Sequence, residues 1–326
     1  MDACKPLGRF LLISFLAAGS LWAANQPVDL PGWRPDGSVL LPNQWTLKPV
    51  GRQVPVGDFP LNIAPHPDGR HAAVLHCGWG QHEVRIVELK SGKLISQAAL
   101  DEAFYGLAWS RDGASLHVSG AGSEVVHVFR FAEGYLSARR ELRLRSAKER
   151  GVPAGLAVSA DGASLFVTEV WGQRVSRIAT ADGAVTWART FAAPQGTRQM
   201  SHEENRVASD ASTTAPFPYA CVADEARGRI YVSLWAQSAV LVLDARTGAD
   251  VARWPVGPHP NEMVLSSDGR LFVAEANGNT VSVIDVAEGR PLERLSASLY
   301  PNSPPGSMPN SLALSPDGRS EEHTSE

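Results

Sequence analysis

Residues 271–285 read LFVAEANGNTVSVID, and this stretch decides the fold. Val281 and Val283 alternate with Ser282, the period-two pattern of a half-buried β-strand. The pair Asp268-Gly269 ends one residue before the stretch, and glycine accepts the positive φ of a tight hairpin turn. The stretch therefore predicts two short antiparallel strands that are joined by a loop and entered through a hairpin.

The same pattern recurs along the chain. The turn glycines are Gly69, Gly113, Gly162, Gly228, Gly269 and Gly318. They are separated by 44, 49, 66, 41 and 49 residues, and five of the six follow an aspartate directly. A large apolar residue lies six positions before each glycine. Four short antiparallel strands at such a period are typical of a propeller blade. The sequence predicts an all-β propeller with about five complete blades.

The net charge and the absence of known motifs exclude several classes of function. The 326 residues carry a net charge of −4, so no basic excess is available to bind nucleic-acid phosphates. No P-loop, GxGxxG, GxSxG, HExxH or CxxCH motif appears where its chemistry would need it. We therefore expect no catalytic residues, no metal, no cofactor and no nucleic-acid partner.

Residues 1–24 read as a signal peptide. Lys5 and Arg9 precede the apolar run 10–18, which is too short to span a bilayer. We expect a periplasmic or secreted protein with no other membrane association, and a further extension at 25–49 before the propeller at 50–318. An exported protein meets an oxidising compartment, where Cys77 and Cys221 can either form a disulfide or remain free thiols.

Two segments interrupt the repeat, and the chain ends irregularly. Residues 191–217 are a polar insertion, and residues 301–309 form a proline-rich loop. Val54–Gly57 is similar to Trp254–Gly257, which predicts a fourth strand that completes the last blade. The tail 319–326 breaks off blade six after its first strand and resembles the translation of a sequencing adapter. We expect this tail to be non-native, with the natural chain continuing past Gly318.

The repeat resembles that of YVTN propellers, a lactonase-like family that usually has seven blades. Leu271–Asp285 carries the resemblance, and Ile230–Ser233 and Leu165–Thr168 match its second strand. Segments 43–106 and 254–318 look like the propeller half of exported proteins in which a phosphoesterase of the alkaline-phosphatase superfamily follows. This resemblance implies a C-terminal catalytic domain that the sequence here does not include.

Candidate binding residues lie in the loops that a propeller gathers around one mouth of its central channel, namely those after the second and fourth strands. Trp79, Trp171 and Trp235 occupy nearly equivalent loop positions, which indicates either an aromatic binding surface or repeated packing between blades. His76, His82 and His259 could join Glu262 or Glu275 as metal ligands there, but they are spread over blades and are not at ligand spacing. The candidates are His76, Trp79, His82, Tyr105, Trp171, Tyr219, Trp235, His259, Asn261, Glu262, Glu275 and Asn277.

The function predicted from these features is that of an exported, non-catalytic binding or scaffolding module. Its partner would be its own missing C-terminal domain, another exported protein or a small ligand. The alternative is a lactonase-like hydrolase that acts on a sugar lactone, for which His76, His259, Glu262 and Glu275 are the available groups.

Overall fold

A computed structural model describes residues 29–48, 51–146, 148–191, 215–298, 300–301 and 303–315, with the backbone of a last strand at 321–325. The predicted signal peptide and most of the insertion 191–217 lie outside these residues. The described part is all-β, and its only helical segments are two short 3₁₀ turns, Ala121–Ser123 and Trp235–Gln237. No helix within it has the length and apolar character needed to cross a membrane.

The N-terminal extension forms a small sheet of its own. Its three antiparallel strands are β1 (Gly32–Trp33), β2 (Val39–Leu40) and β3 (Thr46–Leu47). The carboxylate of Asp36 accepts hydrogen bonds from the backbone N–H of Ser38 at 3.0 Å and from its hydroxyl at 2.6 Å. The turn between β1 and β2 is thereby held by a side chain, as is usual for aspartate in turns.

Five four-stranded antiparallel sheets follow as blades 1 to 5 of a β-propeller. Blade 1 contains β4 (Pro60–Pro65), β5 (His71–His76), β6 (Glu83–Glu88) and β7 (Lys93–Ala99). Blade 2 contains β8 (Leu107–Trp109), β9 (Ser115–Ser119), β10 (Val125–Ala132) and β11 (Tyr135–Arg143). Blade 3 contains β12 (Pro153–Val158), β13 (Ser164–Glu169), β14 (Arg174–Ala179) and β15 (Val185–Thr190).

The last blades repeat this order. Blade 4 contains β16 (Pro218–Asp224), β17 (Arg229–Leu234), β18 (Ala239–Asp244) and β19 (Asp250–Pro255). Blade 5 contains β20 (Pro260–Leu265), β21 (Arg270–Glu275), β22 (Thr280–Asp285) and β23 (Arg290–Ser296). A sixth sheet has two strands, β24 (Pro309–Leu314) and β25 (Glu321–Ser325). The first strands of successive blades contact one another in order, so they line the centre.

The apolar core consists of layers between successive blades. Leu75 and Leu116 belong to the layer between blades 1 and 2, and Tyr231 and Leu271 to the layer between blades 4 and 5. Because a blade that has a neighbour on each side is covered on both faces, the alternation of apolar and polar residues along a strand does not predict which side chains are exposed. Ser282, which we expected on an exposed face of β22, is buried with its neighbours.

Two expectations about the ends of the propeller differ from the structure. Val54–Gly57 belongs to no strand; Arg85 Nη1 donates to the carbonyl of Val56 at 2.6 Å. A strand is defined by a hydrogen-bonded neighbour, and this segment has none of that kind. Blade six does not break off after its first strand, because β25, from the tail, pairs antiparallel with β24.

Candidate functional site

A repeated backbone corner builds the channel mouth. The residue that enters the first strand of a blade has a positive φ in each of the six sheets. These residues are Phe59, Tyr105, Val152, Phe217, His259 and Met308. All but Tyr105 are followed by proline. A non-glycine residue with positive φ is uncommon, and a β-branched one such as Val152 is an outlier.

Hydrogen bonds to the loop after the second strand hold these corners. Trp235 N–H donates to the carbonyl of Phe217 at 3.1 Å, and Ala276 N–H donates to that of His259 at 3.0 Å. The same bond joins Val170 to Val152 at 3.1 Å in blade 3. The two loop sets predicted to share a face are therefore tied together within each of these blades.

Four rings from three blades form a continuous surface, which we term the aromatic ridge. It consists of Trp171, Phe217, Trp235 and His259. Trp171 meets Phe217 edge-to-face at 6.1 Å between ring centroids, and Phe217 meets Trp235 at 6.4 Å. Trp235 and His259 stack at 3.9 Å with planes 8° apart. Burial lowers the pKa of His259, so the neutral ring that stacks on the indole is favoured.

The three loop tryptophans lie at the surface and not in the layers between blades. Trp79 is completely exposed, Trp171 is 66% exposed and Trp235 is 37% exposed. Trp171 and Trp235 join the aromatic ridge, whereas Trp79 stands apart from it in blade 1. Of the two readings of these tryptophans, repeated packing between blades does not match their exposure.

A narrow cavity of about 160 Å³ marks the central channel, and first strands of all five blades line it. Tyr105 and Tyr219 meet there with ring centroids 4.7 Å apart, and Glu262 is part of the lining. Asn62 Nδ2 donates to the carbonyl of Tyr105 at 2.7 Å, which fixes the corner of blade 2 against blade 1. Three predicted residues are thus brought together here.

Burial in the channel shifts the pKa values of the side chains that line it. Burial raises the pKa of Glu262, and hydrogen bonds from Ser311 and the backbone of Leu312 oppose this only in part. Burial, and next the neighbouring Glu262 carboxylate, raise the pKa of Tyr105 well above its usual value. Burial also raises the pKa of the free Cys221 thiol to about 12, so that thiol is unreactive. Cys77 is likewise free.

His76 and Glu275 are buried in separate blades, and the structure does not bring them together. Glu275 accepts hydrogen bonds from the backbone of Gly257 at 2.7 Å and from the hydroxyls of Thr280 and Ser282. Burial, and next the charge of Arg85, lower the pKa of His76. A carboxylate supplied with donors in this way orders its own blade edge, which is a structural role.

The remaining candidates, His82, Asn261 and Asn277, do not join a common site. His82 Nδ1 accepts the backbone N–H of Ala103 at 2.9 Å, so this ring caps a loop. Asn261 Nδ2 donates to Asn310 Oδ1 at 2.6 Å and joins blade 5 to β24. Asn277 lies exposed in the loop after β21.

In the part of the chain that the structure describes, the histidine and carboxylate side chains of the channel mouth do not come together as a group of metal ligands. Within the described residues, one group of three possible ligands has its ligand atoms within 4.8 Å of one another, and it is His66, Asp68 and His71. This group lies in the first hairpin turn of blade 1, on the opposite face. It is not among the candidates predicted from the sequence, although three residues of metal-ligating types within six positions were a visible signal.

Phe217 is also absent from the candidates predicted from the sequence. It links Trp171 to Trp235, and without it the aromatic ridge would be interrupted. The available signal was positional: like His259, Phe217 directly precedes the proline that begins a first strand. Phe217 is the last residue of the polar insertion 191–217, which made it look like part of a loop.

Similarity to known proteins lies in the fold alone. No protein-family model and no curated protein sequence matches the chain. Virginiamycin B lyase from Staphylococcus aureus superposes with a TM-score of 0.61 at 16% identity, over 82% of this chain and 78% of its own. Hydrazine synthase from Kuenenia stuttgartiensis superposes with a TM-score of 0.60 at 17% identity, over 84% and 75%. The WD40 repeats of RRP9 give 0.54 at 13% identity, over 76% and 64%.

Proposed function

We propose that this chain is an exported, non-catalytic propeller of the YVTN type that binds a protein partner at the channel mouth. The observation that carries the proposal is the aromatic ridge, because it exposes large rings at positions that packing does not require. Tryptophan and tyrosine dominate the binding energy of protein interfaces. A contiguous patch of exposed apolar side chains, rather than single scattered ones, is what marks an interaction site on a folded protein.

The size of the central cavity supports a macromolecular partner over a small ligand. About 160 Å³ is below the roughly 300–1,000 Å³ of ordinary small-molecule pockets. The aromatic ridge, in contrast, extends over blades 3, 4 and 5. The partner is another exported protein or a further domain of the same polypeptide, such as the phosphoesterase that the family resemblance implies.

Lactone hydrolysis is the second candidate, and Glu262 is the observation that favours it. A carboxyl with a raised pKa in a channel suits general acid–base catalysis. His76 and Glu275, the other groups that this reaction would recruit, are buried in different blades. Purified protein should therefore hydrolyse δ-gluconolactone no faster than buffer does, and a rate that Glu262→Gln abolishes would establish the hydrolase instead.

Site-specific photo-crosslinking in the producing cell tests the binding proposal. A benzophenone amino acid replaces Trp171 in one variant and Tyr135 in a matched control. Tyr135 is similarly exposed, at 60%, but it begins β11 on the opposite face. We expect a discrete crosslinked product from position 171, absent from position 135, that disappears when Trp235→Ala is added.

Equal crosslinking at both positions, or none at position 171 in a folded variant, would overturn the proposal. The mass of the product separates the two kinds of partner. A product that contains a second polypeptide identifies an external protein, whereas an internal crosslink identifies a further domain of the same chain.

A further inference from the structure

The first hairpin turn of blade 1 departs from its equivalents. Residues 66–71 read HPDGRH, whereas blades 2 and 3 have SRDGAS at 110–115 and SADGAS at 159–164. Two histidines thus replace two serines around an aspartate that is kept. In blade 5 the turn again begins with serine, at Ser266.

Serine is sufficient for the turn itself. Ser110 Oγ donates to Asp112 at 2.6 Å and accepts the backbone N–H of Ser115 at 2.9 Å. Ser159 makes the same pair of hydrogen bonds with Asp161 and Ser164. The paired histidines of blade 1 are therefore not a requirement of the hairpin.

The three blade 1 side chains converge on one point. Asp68 Oδ1 lies 3.0 Å from His66 Nδ1, and Asp68 Oδ2 lies 2.8 Å from His71 Nδ1. Ligands at the roughly 2.0–2.2 Å bond lengths of zinc stand about this far apart around the ion. Both histidines are buried, whereas Asp68 is about one-third exposed, which leaves one side of the group open to solvent.

Hydrogen bonds already orient two of the three groups. His66 Nε2 lies 3.0 Å from the carbonyl of Gly113, an acceptor, so Nε2 carries the proton and Nδ1 has the lone pair. Metal-bound histidines characteristically donate their other N–H to a carbonyl in this way. Asp68 Oδ1 accepts the backbone N–H of Arg70 at 2.7 Å and that of His71 at 3.1 Å.

The surroundings are aromatic and keep the rings in place. The His66 ring lies 4.6 Å from Trp109 and 4.5 Å from Phe131, and the His71 ring lies 5.5 Å from Phe131. His66 Nδ1 accepts the backbone N–H of Asp68 at 3.1 Å. An ion has to replace this one weak hydrogen bond and the proton that His71 shares with Asp68.

We propose that His66, Asp68 and His71 form a binding site for a divalent transition-metal ion of the Zn²⁺ type, on the face opposite to the channel mouth. Two imidazoles and one carboxylate select zinc, cobalt or nickel over magnesium and calcium, which prefer oxygen ligands. Three protein ligands and the open side leave a coordination position for water. The site fixes the first turn of blade 1 and goes beyond the binding function proposed above.

Titration of the full chain with CoCl₂ and ZnCl₂ tests the site. Wild type should show the visible absorption of four-coordinate Co²⁺, which ZnCl₂ displaces, and ZnCl₂ but not MgCl₂ should raise the melting temperature. Asp68→Asn keeps the shape of the turn and removes the charged ligand. The double variant H66S/H71S copies the turns of blades 2 and 3.

Both variants should fold and bind zinc at least about 10-fold more weakly than wild type. Cobalt absorption and a zinc-dependent melting shift that persist unchanged in both variants would show that other histidines bind the ion and would overturn the proposal. Wild type without either signal would overturn it as well. If the double variant proves unstable, Asp68→Asn alone tests the proposal, because it retains the packing of the His66 and His71 rings.

Discussion

Buried carboxylates meet two different environments in this propeller. Glu275 is supplied with donors from Gly257, Thr280 and Ser282, so its charge is compensated inside one blade. Glu262 lies at the channel, where burial is the dominant influence and raises its pKa. An ionised Glu262 therefore opposes folding, because removal of a charge from water costs free energy unless partners compensate.

Glu262→Gln is expected to raise the melting temperature at neutral pH. A carboxyl with a raised folded pKa weakens folding above that pKa, and the penalty vanishes as the pH falls below its ordinary value of 4.5. The amide carries no charge and still accepts the hydrogen bonds of Ser311 and Leu312. Melting temperatures measured across this range should differ most at neutral pH and converge in acid.

Glu293→Gln is the matched control, because Glu293 is exposed on β23. It should leave the melting temperature and its pH dependence unchanged. A Glu262→Gln variant that is less stable than wild type at neutral pH would show that the carboxylate is compensated in the channel.

Hydroxyl groups at the ends of the second strands join neighbouring blades. Thr168 Oγ1 donates to the carbonyl of Tyr219 at 2.6 Å, and Ser233 Oγ donates to that of Asn261 at 2.8 Å. Ser119 makes the equivalent bond to Pro153. Three consecutive blades therefore use one device, a buried hydroxyl that donates to a carbonyl of the next first strand. At Tyr219 and Asn261 this carbonyl lies at an irregularity in the pairing with the second strand.

Thr168→Val is expected to destabilise the protein by about 1–3 kcal/mol, because it leaves the carbonyl of Tyr219 and the N–H of Gly155 without this buried partner. The shape of the side chain is retained, so little of the loss comes from packing. Urea denaturation followed by circular dichroism measures the change.

Thr186→Val provides the comparison on an outer strand. Its hydroxyl donates to Arg177 in an exposed position, and its loss should cost no more than about 0.5 kcal/mol. Equal costs for the two substitutions would contradict the role assigned to the inter-blade hydroxyls.

Stability in the whole propeller is distributed over the layers between blades. Each layer is shared by two neighbours: Phe272 and Val283 of blade 5 pack with Leu312 of β24, whereas Leu75 and Leu116 join blades 1 and 2. In repeat architectures, coupling acts mainly between nearest neighbours. A defect in one layer should therefore weaken the blades beside it more than distant ones.

Phe272→Ala is expected to remove about 3–5 kcal/mol from the layer between blade 5 and β24, because a buried ring is replaced by a cavity. Native-state hydrogen exchange should show lower protection in β21 and β22 than in wild type, with β5 and β6 of blade 1 little changed. A uniform loss of protection in all blades would instead show that the propeller unfolds as one cooperative unit.

Local patterns were sufficient to predict the strands of blades 1 to 5, whereas the strand predicted at Val54–Gly57 is absent. Gly69, Gly113 and Gly162 all have the positive φ expected of their hairpins, and the period of the turns separated the blades correctly. This succeeds because a hairpin is determined by residues a few positions apart. The same reasoning predicted which loops lie at the channel mouth, since strand order alone places them there.

The grouping of those loop residues depended on tertiary structure. Trp171 and Trp235 were proposed from equivalent positions, but only packing across three blades shows that Phe217 joins them and that His259 completes the surface. Packing also separates His76 from Glu275 and buries both faces of β22. A repeat unit specifies its own hydrogen bonds, whereas the contacts between units depend on how side chains of neighbouring blades fill the space between them.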